Sequence, residues 1–367
     1  MSSAEARISN PVFTVTPQKL DVEVMMRKAD RMGLIDHHVR VMEAIEPKVE
    51  QELRRFTPVE KIWQPSKHII SHDSIIKMSN GNLLVHLGHA ITEAGIGPFE
   101  TGINRFKGIG DKTGTDQGTY ARVLRWWTGE EDRHKVVYDR MIFRAGMYGR
   151  VNLREYEKTN QSFIRNGLNP IDSVDEDDFD PYEFNGFAAW QEGNTVVATA
   201  KAGILASNEY CNDIYEMDRD VASDENRHYG LYKMIGKLII HVDPEGYVIA
   251  LARETADKKG MVMPAALMTS GETAVSGTTK LFRDLVRAEV SMNGFTPTDY
   301  AKVYKELIDY WKIETVPLKT KEAEDARMKL LDLVEFNRRR ANIFENMPRP
   351  KVIKFPWIDE PVELPTR

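Results

Sequence analysis

The sequence contains one cysteine, Cys211, among 367 residues. A single thiol allows neither an intrachain disulfide nor a zinc or iron–sulfur site built from several cysteines, and it favours a reducing compartment. Long hydrophobic runs are also missing. Residues 248–252 and 261–263 are among the most apolar stretches, and both are far shorter than the about 20 residues that cross a bilayer. We therefore expect no membrane span.

The sequence also has no excess of positive charge. It contains 50 lysines and arginines and 56 aspartates and glutamates, which gives a net charge of −6. Nucleic-acid-binding proteins attract phosphates with clustered positive charge, so we expect no nucleic acid partner. A chain of this length buries about three quarters of its unfolded surface when it folds. We therefore expect a large core that needs no disulfide.

Strand-like alternation is scarce before the last dozen residues, whereas helical periodicity dominates from Asp36 onward. Two short helices are predicted up to Phe56, the second beginning at Pro47, because proline fits the first turn of a helix. The tail from Pro348 is rich in proline and predicts a short hairpin. Longer helices are predicted at about 73–94, 117–147, 151–167, 183–207, 208–239, 243–259, 279–293, 297–312 and 320–343.

This pattern predicts an all-α fold that forms one structural domain in three parts. An N-terminal arm with short helices covers residues 1–72, a helical bundle covers 73–312, and a C-terminal helix and tail over 313–367 pack on the bundle. Glycine-rich residues 95–114 and acidic residues 172–180 are predicted to be loops.

A short motif occurs twice. Residues 130–134 read Glu-Glu-Asp-Arg-His, and 94 positions later residues 224–228 read Asp-Glu-Asn-Arg-His. On a helix the second acid and the histidine of each copy leave the same face and can converge on one ion. That face also carries apolar residues, and a buried carboxylate without a partner costs several kcal/mol. A metal ion would supply the partner. The four side chains are Glu131, His134, Glu225 and His228.

One further glutamate precedes each copy on an apolar helix, Glu93 before the first and Glu192 before the second. Four carboxylates and two imidazoles are the set with which ferritin-like bundles hold two metal ions between four helices. Oxygen and imidazole ligands without thiolate favour iron or manganese. The alternative, an exposed capping or salt-bridge motif, fits a single copy better than two matched ones. We therefore predict a ferritin-like helical bundle with a dinuclear centre.

The first acid of each copy is expected to support the histidine of the other copy. A ligating imidazole usually donates its second N–H to a carboxylate, and in a two-fold arrangement each acid faces the opposite helix. We predict that Asp224 contacts His134 and that Glu130 contacts His228. Among the other histidines, His89 could face the site one turn before the first glutamate, although a supporting or core role is favoured.

Beyond these residues, the sequence resembles the soluble acyl-carrier-protein desaturases, the family that includes the plant stearoyl desaturases. The similarity extends from about residue 40 to the end and combines several stretches in the family's order. These stretches are residues 58–65, 88–93, 127–134, 187–195, 222–228, 327–340 and 355–358.

The resemblance implies two iron ions per chain, held by the same six residues that the spacing selects. It also implies O2- and electron-dependent desaturation of a fatty acyl chain on acyl carrier protein, with a ferredoxin-type electron donor and a homodimer. The expected location is the cytoplasm, or the plastid stroma in a plant. The implied ligands are Glu93, Glu131, His134, Glu192, Glu225 and His228.

The resemblance also suggests catalytic roles outside the ligand set. Trp63 would complete a path for electrons from the surface through Asp224 to His134, and ordinary packing is the alternative for this tryptophan. Thr195, three residues after Glu192, could present its hydroxyl to an oxygen pocket. A packed helical threonine is an equal interpretation.

Two other functions remain open from the sequence. The first is a dinuclear oxygenase that hydroxylates another hydrophobic substrate, either carrier-bound or small. The second is a storage or structural bundle, which would need little more than four helices and therefore far fewer residues. Product analysis separates the first from desaturation, and O2 consumption with and without acyl carrier separates the second.

The chain departs from the family pattern next to the first ligand. Gly95, Gly97 and Pro98 follow where the family usually has a second acid, and His89 stands where the family has an aspartate. Glycine and proline are unfavourable inside a helix, so we expect the helix to end or bend there and Phe99 to line the acyl channel. Substrate length and double-bond position would then differ from those of plant stearoyl desaturases.

Overall fold

The computed structural model describes residues 22–57, 62–94, 118–146, 180–257, 285, 287–348, 352–353 and 362–363. Within these residues the fold is an all-α, ferritin-like bundle with additional helices, as predicted. The helices are α1 (Val22–Phe56), α2 (His72–Lys77), α3 (Asn80–Ala94), α4 (Thr119–Arg144), α5 (Pro181–Asn208), α6 (Asn212–Val242), α7 (Pro244–Ala252), α8 (Pro297–Tyr310) and α9 (Lys321–Asn346). The strands are β1 (Val352–Ile353) and β2 (Val362–Glu363), which pair antiparallel and agree with the predicted C-terminal hairpin.

Four helices form the bundle. α3 packs beside α4 and α5, and α6 packs beside the same two helices, so the four enclose a common interior. Asp180 caps the start of α5, where its carboxylate accepts the backbone N–H of Tyr182, and Pro181 lies in the first turn. α5 and α6 are joined by a tight turn in which Tyr210 adopts a left-handed φ of 62°. Among the helices that the structure describes, none is both long and apolar enough to span a bilayer.

The bundle is packed by two hydrophobic clusters. One joins α1 to the additional helices α7, α8 and α9 and includes Trp127 and Tyr232. The other lies between α3, the end of α4 and the start of α6, and includes Tyr138 and Val221. The repeated motifs of α4 and α6 fall between these residues along each helix. A polar layer therefore separates two apolar cores.

The prediction of two short helices before Phe56 is wrong, because α1 is continuous through Pro47. Proline inside a helix removes one hydrogen bond and costs roughly 3 kcal/mol. Met42 and Ile45 before the proline and Val49 after it are all buried in the same cluster. This shared packing on both sides of Pro47 outweighs the local cost and keeps the helix in one piece.

The predicted helix at 73–94 is divided into α2 and α3. The backbone N–H and hydroxyl of Ser79 donate to Glu209 at 2.7 and 2.6 Å. The Ser79 hydroxyl also accepts the N–H of Asn82 at 3.3 Å, which begins α3. Glu209 lies in the α5–α6 turn, so a tertiary contact that the sequence pattern does not reveal sets this boundary.

The helices predicted at 117–147, 183–207, 208–239, 297–312 and 320–343 agree with α4, α5, α6, α8 and α9 to within about four residues at each end, whereas the one predicted at 243–259 is too long. α7 ends at Ala252 and is followed by a π-helical turn over Arg253–Asp257. The predicted helix at 151–167, residues 279–284 and 286 of the one predicted at 279–293, and both predicted loops apart from Asp180 lie outside the described residues, whereas residues 287–291 are helical as predicted. Residues 95–98 and Phe99 also lie outside the described residues, directly after the end of α3.

Candidate metal centre

The bundle brings the predicted ligand side chains together in its interior. α4 contributes Glu131 and His134, and α6 contributes Glu225 and His228, all of them buried. α5 contributes Glu192, which is also buried. Glu93 lies in the last turn of α3, and its side chain is outside the described residues.

The carboxylates crowd around one histidine. Ligand atoms of Glu131, Glu192, Glu225 and His228 all lie within 4.8 Å of one another. Nδ1 of His228 is 3.0 Å from Oε1 of Glu131 and 3.3 Å from Oε2 of both Glu192 and Glu225. One metal ion would fit among these four groups.

The second histidine faces the same carboxylates from the other side. Nδ1 of His134 is 3.3 Å from Oε2 of Glu131 and 3.2 Å from Oε1 of Glu225. Each of these glutamates therefore places one oxygen beside His134 and the other beside His228, whose ring centroids are 6.1 Å apart. These residues could hold two ions, one beside each histidine.

Several of the facing atoms have no hydrogen bond. Oε1 of Glu131, Oε1 of Glu225 and Nδ1 of His134 are buried, and although they lie close to facing polar atoms, none of them forms a hydrogen bond of acceptable geometry with the described residues. Buried polar atoms are normally satisfied, and these three converge on one volume. Metal coordination would satisfy all of them, so the residues fit a metal centre of the predicted type.

Both predicted crossed contacts are present. Nε2 of His134 lies 3.2 Å from Oδ2 of Asp224, and Nε2 of His228 lies 3.0 Å from Oε2 of Glu130. Each acid belongs to the opposite helix from its histidine. These contacts fix the ring orientations and turn both Nδ1 atoms toward the carboxylates.

Sequence reasoning missed the two arginines of the repeated motifs. Arg227 donates to Glu130 at 3.0 Å and to Asp224 at 2.5 Å. Arg133 donates to Glu130 at 2.6 Å and lies 3.8 Å from Asp224. Both arginines thus contact both acids. The signal was available, because arginine precedes histidine in both motifs. Trp127 was also missed as a site residue, and its indole N–H donates to Glu192 at 3.0 Å.

The charges in the cluster depend on one another. Burial would raise the pKa of Glu130, but its hydrogen bond to His228 and the charges of His228 and the two arginines lower that pKa to about 2. Burial and the neighbouring glutamates raise the pKa of Glu192 well above its ordinary value. The pKa values of His134 and His228 are raised despite burial, because carboxylates surround both rings.

Trp63 contacts the acid that supports His134, and its role in electron delivery stays a prediction. Its indole N–H donates to Oδ2 of Asp224 at 2.8 Å, the same oxygen that faces His134. Its ring stacks on His134 with centroids 6.1 Å apart and an angle of 13°. Trp63, Asp224 and His134 are therefore in continuous contact.

Thr195 makes a local contact instead. Its hydroxyl donates to the carbonyl of Gln191 at 2.9 Å, one turn earlier in α5. This bond is the one that a packed helical threonine forms, and the role of Thr195 at an oxygen pocket stays a prediction.

Four helices around a buried cluster of carboxylates and imidazoles define a ferritin-like bundle with a candidate metal centre. A family model described as fatty acid desaturase matches residues 37–359, and the chain belongs to this family. It is 26% identical over 323 residues to a chloroplastic stearoyl-acyl-carrier-protein 9-desaturase of Simmondsia chinensis, covering 84% of this chain and 77% of that protein. A chloroplastic stearoyl-acyl-carrier-protein 9-desaturase 1 of Oryza sativa subsp. indica is 28% identical over 318 residues, covering 82% and 80%.

Proposed function

We propose that the protein desaturates a fatty acyl chain carried on acyl carrier protein, using O2, two electrons and a centre of two iron ions. The observation that carries the proposal is the symmetric placement of Glu131 and Glu225 between His134 and His228. Membership of the fatty acid desaturase family supports the same chemistry. The proposed ligands are Glu93, Glu131, His134, Glu192, Glu225 and His228.

Bound iron would supply the one ability that side chains lack, the activation of O2 for removing hydrogen from unactivated methylene carbons. The chain's own residues prepare the site. Asp224 and Glu130 accept the Nε2–H of the two histidines, and Arg133 and Arg227 hold both acids in place. The two apolar clusters on either side exclude water from the polar layer.

The proposal also covers the electron donor, the substrate and the assembly. We propose that a ferredoxin-type donor passes electrons through Trp63 and Asp224 to His134, along the continuous contacts described above. The relatives are named for stearoyl chains on acyl carrier protein, which supports a carrier-bound acyl substrate. We also propose a homodimer, located in the cytoplasm or, in a plant, in the plastid stroma.

The test is product analysis. The iron-loaded protein is incubated with O2, reduced ferredoxin and acyl-carrier thioesters of different chain lengths, and the products are identified by mass spectrometry. An alkene two hydrogens lighter than the substrate is expected, and it should be absent with a His228→Ala variant. A product that gains one oxygen atom would instead identify a hydroxylase. O2 consumption that does not depend on the acyl carrier would contradict both.

A further inference from the structure

A tryptophan ring contacts each of the two histidines of the candidate centre. Trp63 stacks on His134, as described above. Trp126 of α4 meets the ring of His228 at a nearly perpendicular angle of 83°, with centroids 5.1 Å apart. Aromatic rings in this edge-to-face arrangement are in van der Waals contact at such a distance. Trp126 therefore touches a predicted ligand directly.

The surroundings of Trp126 resemble those of Trp63. Trp126 and Glu130 are four residues apart in α4, so they lie on the same face of that helix. Glu130 is the acid that lies 3.0 Å from Nε2 of His228. On the other side of the centre, Trp63 likewise accompanies the acid that supports the second histidine. Each histidine thus has one acid at Nε2 and one tryptophan ring beside it.

Trp126 differs from Trp63 in its access to solvent. Trp126 is half-buried, so part of its side chain lies at the surface while its ring meets His228. Trp63 is only 7% exposed, and the ring of His68 packs edge-on against it with centroids 5.0 Å apart. Trp126 is therefore the more direct of the two connections between solvent and a ligand.

The proposed reaction consumes two electrons that come from outside the chain. A one-electron donor delivers them one at a time, so the centre must receive an electron twice for each double bond. All the described ligands are buried, and each electron must therefore pass through protein between the donor and the ions. Rings in contact favour this passage, because electron transfer slows steeply with the width of any empty gap.

We propose that Trp126 is a second entry point for electrons, which serves the ion beside His228 while Trp63 serves the ion beside His134. This inference rests on the proposed function. In each step the reduced donor, a one-electron redox protein of the ferredoxin type, loses one electron, and one ferric ion becomes ferrous. No covalent bond forms or breaks. The indole of Trp126 supplies the contact through which the electron passes and is unchanged at the end of the step.

The test measures electron transfer from a fixed position on the surface. Cys211 is buried and is the only cysteine, so an introduced surface cysteine can carry a ruthenium photosensitiser alone. Arg122→Cys places this label on α4 one turn before Trp126, at a side chain that is 47% exposed. A laser flash with a sacrificial reductant reduces the label, and the loss of ferric absorbance gives the transfer rate in iron-loaded protein without O2. Trp126→Leu should slow this transfer about tenfold, the lower end of the effect of removing groups behind a metal ligand.

A label on the other side of the centre is the matched control. Lys67→Cys places it at a side chain that is 54% exposed, next to the His68 ring that packs on Trp63. From this position Trp63→Leu should slow the transfer, whereas Trp126→Leu should keep the wild-type rate. A purely structural disturbance by Trp126→Leu would slow transfer from both labels, so a loss confined to position 122 identifies the second entry point.

Iron content and circular dichroism establish that each variant is folded and loaded. If Trp126→Leu loses iron, Trp126→Phe takes its place, and its smaller ring should still slow transfer from position 122. The inference is refuted if the loaded variants keep the wild-type rate from position 122, or if they slow transfer equally from both positions. Photoreduction needs no acyl substrate, so a selective loss in a protein that makes no alkene would instead refute the proposed function alone.

Discussion

Glu131 and Glu225 each reach both histidines of the candidate centre. Two ions, one beside each histidine, would therefore depend on the same two carboxylates. We expect the iron-loaded wild-type protein to contain two iron atoms per chain, and His134→Ala or His228→Ala to lose both together. Metal analysis after gel filtration measures the ratio. His241→Ala, at an exposed position, should keep both, and an active-site variant that retained two tightly bound ions would contradict the shared site.

Trp63 can be separated from metal binding because it contacts the acid rather than the ligand carboxylates. Trp63→Phe keeps an aromatic ring but removes the N–H that donates to Asp224. We expect full iron content and reduction by ferredoxin about tenfold slower, the lower end of the effect of removing groups behind a metal ligand. Stopped-flow absorbance measures the reduction rate. A wild-type rate would assign Trp63 to packing alone.

Glu289 links stability to pH. Its pKa is raised from 4.5 to about 7 in the folded protein by burial, so the folded chain keeps a proton that the unfolded chain loses over this window. The contribution of Glu289 to the free energy of unfolding is therefore complete below pH 4.5. It decreases as the pH rises to about 7, by up to roughly 1.4 kcal/mol for each pH unit. Glu289→Gln should flatten that decline.

Urea unfolding at pH 5, 6 and 7 measures this effect. Glu306→Gln replaces a carboxylate that is largely exposed and paired with Lys233, so it should keep the wild-type slope. Equal slopes for Glu289→Gln and wild type would show that Glu289 ionises normally in the folded chain.

The side chains of Tyr247 and Trp311 pack so closely against Gly236 of α6 that a larger residue would not fit there without a shift. A Cβ on Gly236 would lie 2.5 Å from the Tyr247 hydroxyl and 2.9 Å from the Trp311 ring, whereas one on Gly129 of α4 would meet nothing within 4 Å. We expect Gly236→Ala to lower the free energy of unfolding by about 1–3 kcal/mol through overpacking. Gly129→Ala should raise it by up to about 1 kcal/mol, because alanine favours helix. Urea midpoints with equal m-values measure both changes, and the same sign for the two variants would contradict this account.

α4 and α6 were predictable because their apolar residues recur at helical spacing along one face of each helix. Their ligand motifs were predictable because the same spacing occurs twice. The division between α2 and α3 was not, since it depends on Glu209 reaching Ser79 from a distant turn. The continuity of α1 through Pro47 depends likewise on tertiary packing. The repeat marks Arg133 and Arg227, which precede the histidine in both motifs, but sequence spacing does not show that their long side chains reach the two acids.

An acidic carrier protein would approach this molecule against its net charge of −6, so local basic surface must guide it. Among described residues, Arg54 and Arg55 end α1, and residues 338–340 form an exposed basic run on α9. Several of these charges are already paired, Arg55 with Glu52 and Arg338 with Glu335. The candidate clusters are Arg54, Arg55, Lys61 and Lys67; Lys258 and Lys259; and Arg338, Arg339 and Arg340.

Charge reversal at all three clusters should raise KM for the acyl-carrier substrate about tenfold at low salt, with kcat unchanged. The difference should shrink at high salt, because exposed charges are screened there. Steady-state kinetics at two ionic strengths measures both effects. Reversal at exposed acids, such as Glu50 of α1 and Glu314, should not raise KM, and an unchanged KM after reversal of the basic clusters would place the carrier elsewhere.

Glu130 and Asp224 each support a histidine on the opposite helix, so dividing the bundle into two helical hairpins would separate both acids from their histidines. A fragment containing only α3 and α4 would have His134 without its acid, and Glu130 without the histidine that it supports. The α5–α6 fragment would have the converse deficiency. Two identical hairpins related by a two-fold axis would complete each other. The single chain is therefore arranged like two helical hairpins of a dimer joined into one polypeptide, and neither hairpin alone contains a complete metal site.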